Sequence, residues 1–297
     1  MRHISAAGIV IVIAWSLASG LAAPQPPTFH TETRLVVLHA TVQNRFGGLV
    51  TNLDRGSFRV FENGRRQPIT LFRRDDVPVS IGIVIDNSGS MRPLRSGVEA
   101  AALAFVRASN PMDDVFVLNF ADKPRVDVPM TTDLPVLEAG VARVDAIGGT
   151  AMRDAVLTAE TYLHEHASHD RRVLLVITDG KDNASRASHS QLRRAVELSE
   201  TAIFAVGLFA GEQSAARTAR DELDEMTELT GGIAYYPPSA DRVDAVVLDI
   251  ARQVRNEYTI AYTPAKQALD GSYRAVQVEV AGLPGSKVRT RRGYWAF

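Results

Sequence analysis

The run Ile81-Gly82-Ile83-Val84-Ile85 is apolar at consecutive positions and stops abruptly at Asp86-Asn87-Ser88-Gly89-Ser90. A strand without polar alternation must be covered on both faces. That places it inside a parallel sheet with helices on either side, where ligands sit at the carboxyl ends of the strands. Asp86, Ser88 and Ser90 fall at that end and offer oxygen from alternate residues of one turn. Oxygen-only donors suit hard cations, Mg²⁺, Mn²⁺ or Ca²⁺, and argue against zinc or copper. The same residue types are ordinary turn formers, however, and the hydroxyls could simply cap a following helix.

Two further stretches bear on that choice. Ile147-Gly148-Gly149-Thr150 lies between two helical patterns, and Val173-Leu174-Leu175-Val176-Ile177-Thr178-Asp179-Gly180 is a second buried strand ending in an acid. Asp86, Ser88, Ser90, Thr150 and Asp179 together resemble, in order and type, the metal-ion-dependent adhesion site of von Willebrand factor type A domains. The resemblance implies a doubly wound, Rossmann-like α/β fold. It also implies that Ser88, Ser90 and Thr150 bind the ion directly, with Asp86 and Asp179 acting directly or through water.

Alternating strand and helix patterns support the same fold class from Val79 onward. Helical spacing predicts helices over Leu94–Arg107, Leu134–Val144 behind Asp133, Met152–His164, a start at Ser188 or Ser190 running to Leu198, Ala215–Leu229, and Asp241–Arg255. Strands are expected at Val115–Phe120, Arg125–Val128, Ala202–Leu208 and Ile233–Tyr236 besides the two above.

Both flanks read differently. Arg34–Gln43, Ser57–Phe61 and Pro68–Phe72 are β-like, with Asn63-Gly64 a strong two-residue hairpin signal; Tyr258–Tyr262, Tyr273–Val280 and Lys287–Arg292 are β-like at the other end. Three or four strands are marginal alone. Residues 30–77 and 257–297 are therefore expected to pack together as one β-sandwich, with the α/β domain, residues 78–256, inserted between them. Phe58-Arg59-Val60-Phe61-Glu62-Asn63-Gly64, Tyr258-x-x-x-Tyr262-x-Pro264 and Arg289-x-Arg291-x-Gly293-Tyr294 also look like the bacterial, acidobacterial-type exported "VWFA-related" group.

Residues 1–23 read as an export signal: Arg2 and His3, an apolar stretch through Ile9–Ile13, and small residues before Pro24. An uncleaved anchor is the rival, since Ala6–Ala23 approaches the length of a membrane span. No later segment could span a bilayer. An exported protein of 297 residues with no cysteine must hold together by its core, its hydrogen bonds and its metal. The expected location is periplasmic or extracellular. Net charge is −1, and −2 without Arg2, which gives no global basic field for nucleic acid.

The expected function is thus a divalent-cation-dependent protein-binding module. Mg²⁺ (or Mn²⁺ or Ca²⁺) keeps an open coordination position that an Asp or Glu of a partner protein fills. Loops Arg92–Arg95, Asp122–Arg125 and Lys181–Ala187 would shape the surface around it. The alternatives are a structural envelope scaffold stabilised by the metal and, less well supported, a metal-dependent hydrolase. The chain has no Gly-x-Ser-x-Gly elbow, Walker loop or cysteine nucleophile. His164, His166 and His169 lack the i, i+4 spacing that zinc ligands on one helix need.

Overall fold

A computed structural model describes residues 34–141, 147–180, 182–209 and 214–297. The expected export signal lies outside the described residues. Strands β1 (Val36–Gln43), β2 (Phe58–Glu62), β3 (Arg65–Gln67) and β4 (Ile69–Arg73) come first. The alternating region follows: β5 (Ser80–Asp86), α1 (Arg95–Ala108), β6 (Asp114–Phe120), β7 (Pro124–Thr131), α2 (Leu134–Val141), α3 (Met152–His166), β8 (Arg172–Thr178), α4 (His189–Leu198), β9 (Ala202–Gly207), α5 (Ser214–Thr230), β10 (Ala234–Tyr235) and α6 (Val243–Arg255). Strands β11 (Tyr258–Tyr262), β12 (Tyr273–Val280), β13 (Lys287–Arg289) and β14 (Gly293–Trp295) close the chain.

The central sheet has the order β10-β9-β8-β5-β6-β7. All its pairs are parallel except β6–β7, so the sheet is mixed. A three-residue link from β6 to β7 is too short for the crossover that parallel pairing needs, which forces the antiparallel edge. Consecutive residues of β5 serve opposite cores. Ile81, Ile83 and Ile85 pack with Val98 and Phe105 of α1, Leu137 of α2 and Val247 and Ile250 of α6. Val84 joins Val156 and Leu163 of α3, Leu192 of α4 and Leu223 of α5 on the other face. This two-sided burial explains why the run has no polar alternation. From β5 the chain proceeds to β6 on one side and later to β8 on the other, so the carboxyl ends of β5 and β8 flank the topological switch point.

The flanks build two four-stranded sheets, β13-β1-β11-β4 and β14-β12-β2-β3, and each mixes strands from both ends of the chain. β11 separates β1 from β4, and β12 lies between β14 and β2. Leu38, Val60, Tyr258, Tyr262, Val278 and Tyr294 share one core between them.

Two sequence expectations are redrawn. The Asn63-Gly64 turn, with φ of 47° and 76°, closes β2 only onto β3. After Pro68, β4 pairs with β11 in the opposite sheet. Likewise the expected Lys287–Arg292 strand stops at Arg289 as β13, and the next strand, β14 from Gly293, lies in the other sheet. The segment between them crosses over, and Arg292 donates its N–H to the carbonyl of Leu229 in α5 at 3.1 Å. No helix among the described residues is long and apolar enough to cross a membrane.

Candidate metal site

Four of the five oxygen-bearing residues form one hydrogen-bonded chain at the carboxyl ends of β5 and β8. Asp86 ends β5, 1% exposed, and its Oδ1 accepts the Ser88 backbone N–H at 2.8 Å. The Oγ atoms of Ser88 and Ser90 lie 3.0 Å apart, and Ser90 Oγ donates to Asp179 Oδ1 at 2.9 Å. Thr150 enters from the loop before α3. Its Oγ1 lies 3.4 Å from where a Cβ at Gly180 would stand, which puts it beside the loop leaving β8. The Gly89 N–H donates to the Gly148 carbonyl at 3.2 Å, tying the two loops together. Asp86, Ser88 and Thr150 are buried, Asp179 is half-buried and Ser90 is exposed, so the cluster opens to solvent on one side.

The competing capping role does not appear. Ser88 precedes a short 3₁₀ turn, Gly89–Met91, without a side-chain cap bond, and α1 begins behind Leu94, likewise uncapped by a side chain. The hydroxyls face one another and a carboxylate instead.

Several supporting residues were not read from the sequence. Thr178 Oγ1 donates to Asp86 Oδ2 at 2.6 Å. Asp122 accepts the Gly149 N–H at 2.7 Å and closes against Gly148, whose φ is +102°. A Cβ at Gly148 would fall 2.6 Å from Asp122 Oδ2, and one at Gly149 would fall 2.7 Å from Asn183 Oδ1. Both glycines are therefore demanded by the loop. Asn183 Oδ1 also accepts the Thr150 N–H at 2.8 Å. Asp154 accepts the N–H groups of Arg186 and Ala187 at 3.0 and 2.9 Å. Residues 182–187, expected to shape the surface around the ion, are thus also tied to α3. Their signal was compositional only: Asp and Asn in a loop.

Residues 81–181 match the family model of the von Willebrand factor type A domain. The chain contains a von Willebrand factor type A domain. No sequence among the curated proteins matches it. Among solved structures, a von Willebrand factor type A protein from Catenulispora acidiphila is similar at TM-score 0.52 and 14% identity, over 89% of this chain and 75% of that one. The vWF domain of the type V pili tip protein Mfa5 from Porphyromonas gingivalis matches at TM-score 0.50 and 12% identity, over 60% of this chain and 95% of that one. Proximal thread matrix protein 1 from the mussel byssus, with its MIDAS motif occupied by zinc, matches at 0.51 and 18% identity, over 65% of this chain and 50% of that one. At these identities the likeness is one of fold.

Electrostatics within the type A domain suit a cation. Burial raises the Asp86 carboxyl above its ordinary range, opposed by the hydrogen bonds from Thr178 and Ser88. Asp179 is pushed up to about 6, by burial first and also by the Asp86 charge, against the hydrogen bond from Ser90. Two carboxylates whose proton affinity is raised, Asp86 by burial and Asp179 by burial and by the Asp86 charge, are what a divalent ion would relieve. No three His, Cys, Asp or Glu side chains gather among the described residues as a metal cluster would, and the candidate site itself joins hydroxyls to two carboxylates. The histidines near the end of α3 serve locally: His166 stacks on Tyr162 at 4.1 Å, and His169 Nε2 lies 3.0 Å from the Met112 carbonyl oxygen.

Proposed function

We propose that the chain is an exported protein-binding module whose capture of a partner depends on a divalent cation. Ser88, Ser90 and Thr150 would hold the ion directly, with Asp86 and Asp179 acting directly or through water. The observation that carries this reading is that the Ser88 and Ser90 hydroxyls are directed at each other and at Asp179 rather than at helix caps. Neutral hydroxyl donors with two carboxylates nearby leave an ion electrophilic. The solvent-open side at Ser90 and Asp179 leaves room for an Asp or Glu of a partner protein to complete the coordination. Mg²⁺ is the expected ion, with Mn²⁺ and Ca²⁺ as the alternatives named by the donor set. Mfa5 at a pilus tip and a byssus matrix protein are settings in which similar folds occur, which fits an interaction role outside the cytoplasm. Among the five residues the only candidate bases are the acids that would hold the ion, which favours binding over hydrolysis.

The deciding experiment is calorimetric titration of Mg²⁺, Mn²⁺, Ca²⁺ and Zn²⁺ into the chelator-treated chain beside Asp86→Ala and Thr150→Ala. Saturable binding in the wild type, lost in both folded variants, supports the site. Equal heats in all three would sink it. Ion-dependent pull-down of acidic peptides, abolished by chelator, then tests the partner's carboxylate.

A further inference from the structure

On the opposite side of the central sheet lies a cleft of about 860 Å³, within the size range of small-molecule sites. Its walls include Val77 and Pro78, where the chain passes from β4 to β5, and Ser168–Asp170, just before β8. It therefore sits at the amino ends of the parallel strands, between the type A domain and the sheet of β1, β11 and β4.

The wall carries five arginines, Arg34, Arg73, Arg171, Arg172 and Arg291, against two carboxylates, Asp170 and Glu200. Glu200 lies 3.7 Å from Arg291 and Arg34 donates to the Phe297 carbonyl at 2.6 Å, while Arg73 is exposed. Arg171 is 6% exposed; it donates to Glu257 Oε2 at 2.7 Å and to the Val254 carbonyl. Even so, the buried Nε of Arg171 and that of Arg172 have no acceptor among the described residues. A buried donor left unmet is costly, so an acceptor brought to these two guanidiniums would be favoured. His39, on the same wall, is pushed down to about 3 by burial and then by Arg171 and Arg291, as expected where the field is positive.

The rim is apolar. Leu35, Val37, Leu198 and Phe297 are 44%, 41%, 45% and 61% exposed, and all four edge this one cleft beside Trp295. Exposed apolar side chains gathered at a cationic pocket differ from those scattered singly over a surface.

We infer that this cleft binds a small amphipathic anion: a carboxylate or phosphate head held by Arg171 and Arg172, and an apolar body lying against Leu35, Val37, Leu198 and Trp295. Guanidinium forks match either head group. Because the walls come from both the flanking sandwich and the type A domain, the ligand would join the two. The site is independent of the proposed ion site and does not need it.

The test uses the full chain with Trp15→Phe, which leaves Trp295 as the one indole. Decanoate, decyl phosphate and uncharged decyl maltoside are titrated below micelle-forming concentrations, followed by Trp295 emission and by heat. The expected result is saturable binding of at least one anion, about tenfold or more tighter than the maltoside, with the tighter anion naming the head group. Arg172→Met should weaken it about tenfold or more. Arg73→Glu, at an exposed position and so compatible with folding, should weaken it several-fold, and chelator should change nothing. The inference is overturned if neither anion binds up to millimolar concentration, if the maltoside binds as well as the anions, or if both folded variants bind like the wild type.

Discussion

At the scale of single residues, the candidate ion site depends on groups that would not touch the ion. Thr178 is fully buried and gives Asp86 Oδ2 its 2.6 Å hydrogen bond. Thr178→Val keeps the shape and removes the donor. It should cost about 1–3 kcal/mol in urea unfolding and weaken ion binding about 10–100-fold, as loss of a partner behind a ligand does. Unchanged ion affinity in a folded T178V protein would show that Asp86 needs no orientation. Glu160 on α3 provides a second residue-scale expectation. Its Oε2 accepts from Ser199 Oγ at 2.6 Å and Thr201 Oγ1 at 3.0 Å, while its buried Oε1 has no hydrogen-bond partner among the described residues. Burial pushes its carboxyl up to about 7 from an ordinary 4.5. Between those values the folded state holds a proton that the unfolded chain has lost. The stabilisation is therefore full below 4.5 and is lost as pH rises through about 7, with a slope of at most ~1.4 kcal/mol per pH unit. Glu160→Gln should flatten that part of the stability profile; parallel slopes in the two proteins between pH 5 and 8 would refute the assignment.

At the scale of elements, α4 shows what a local sequence signal can decide. Ser188 and Ser190 both precede the apolar spacing, yet only Ser188 has a Gln three residues on, and Ser188 with Gln191 forms the reciprocal capping box. Ser188→Ala should cost about 1 kcal/mol by thermal or urea unfolding, while Ser190→Ala should cost clearly less; equal losses would mean the box does not set the boundary. The same logic explains which elements were legible. β5 and β8 announce themselves because burial on both faces leaves no polar position between their first and last residues, with Asp86 ending β5 and Asp179 following β8 in plain view. β14 is three residues long and separated from β13 by a crossing rather than a turn, so no periodicity could reveal it. Pro68 breaks the pattern after β3, but sequence alone does not say that the next strand joins another sheet. Asp122 and Asn183 act on Gly149 and Thr150 from loops distant in the chain, and such contacts leave no local spacing to read.

At the scale of the whole molecule, the two ends of the chain are held together by a buried polar network as well as by shared sheets. Glu62 of β2, 5% exposed, accepts from Tyr262 Oη of β11 at 2.8 Å and Tyr294 Oη of β14 at 2.7 Å; Arg274 of β12 lies 3.6 Å away and is itself 2% exposed. Burial and then Glu62 hold the Tyr294 hydroxyl up to about 12, so it stays a donor throughout the accessible range. Three of the dispersed flank motifs thus converge on one carboxylate, which gives their spacing a physical reason. Glu62→Ala leaves two buried hydroxyls without their acceptor and removes the buried carboxylate nearest Arg274, which keeps its bonds to the Lys266 and Ala268 carbonyls, and should cost about 3–5 kcal/mol. Glu62→Gln retains an acceptor and should cost less. The loss belongs to the sandwich, so ion titration at Asp86 should be unaffected in the folded variant, while hydrogen exchange should accelerate in β2, β11 and β12 before it does in β5 and β8. If exchange accelerated equally in β5 and β8, the sandwich and the type A domain would unfold as one cooperative unit, and the ends of the chain would be bracing the ion site as well as each other.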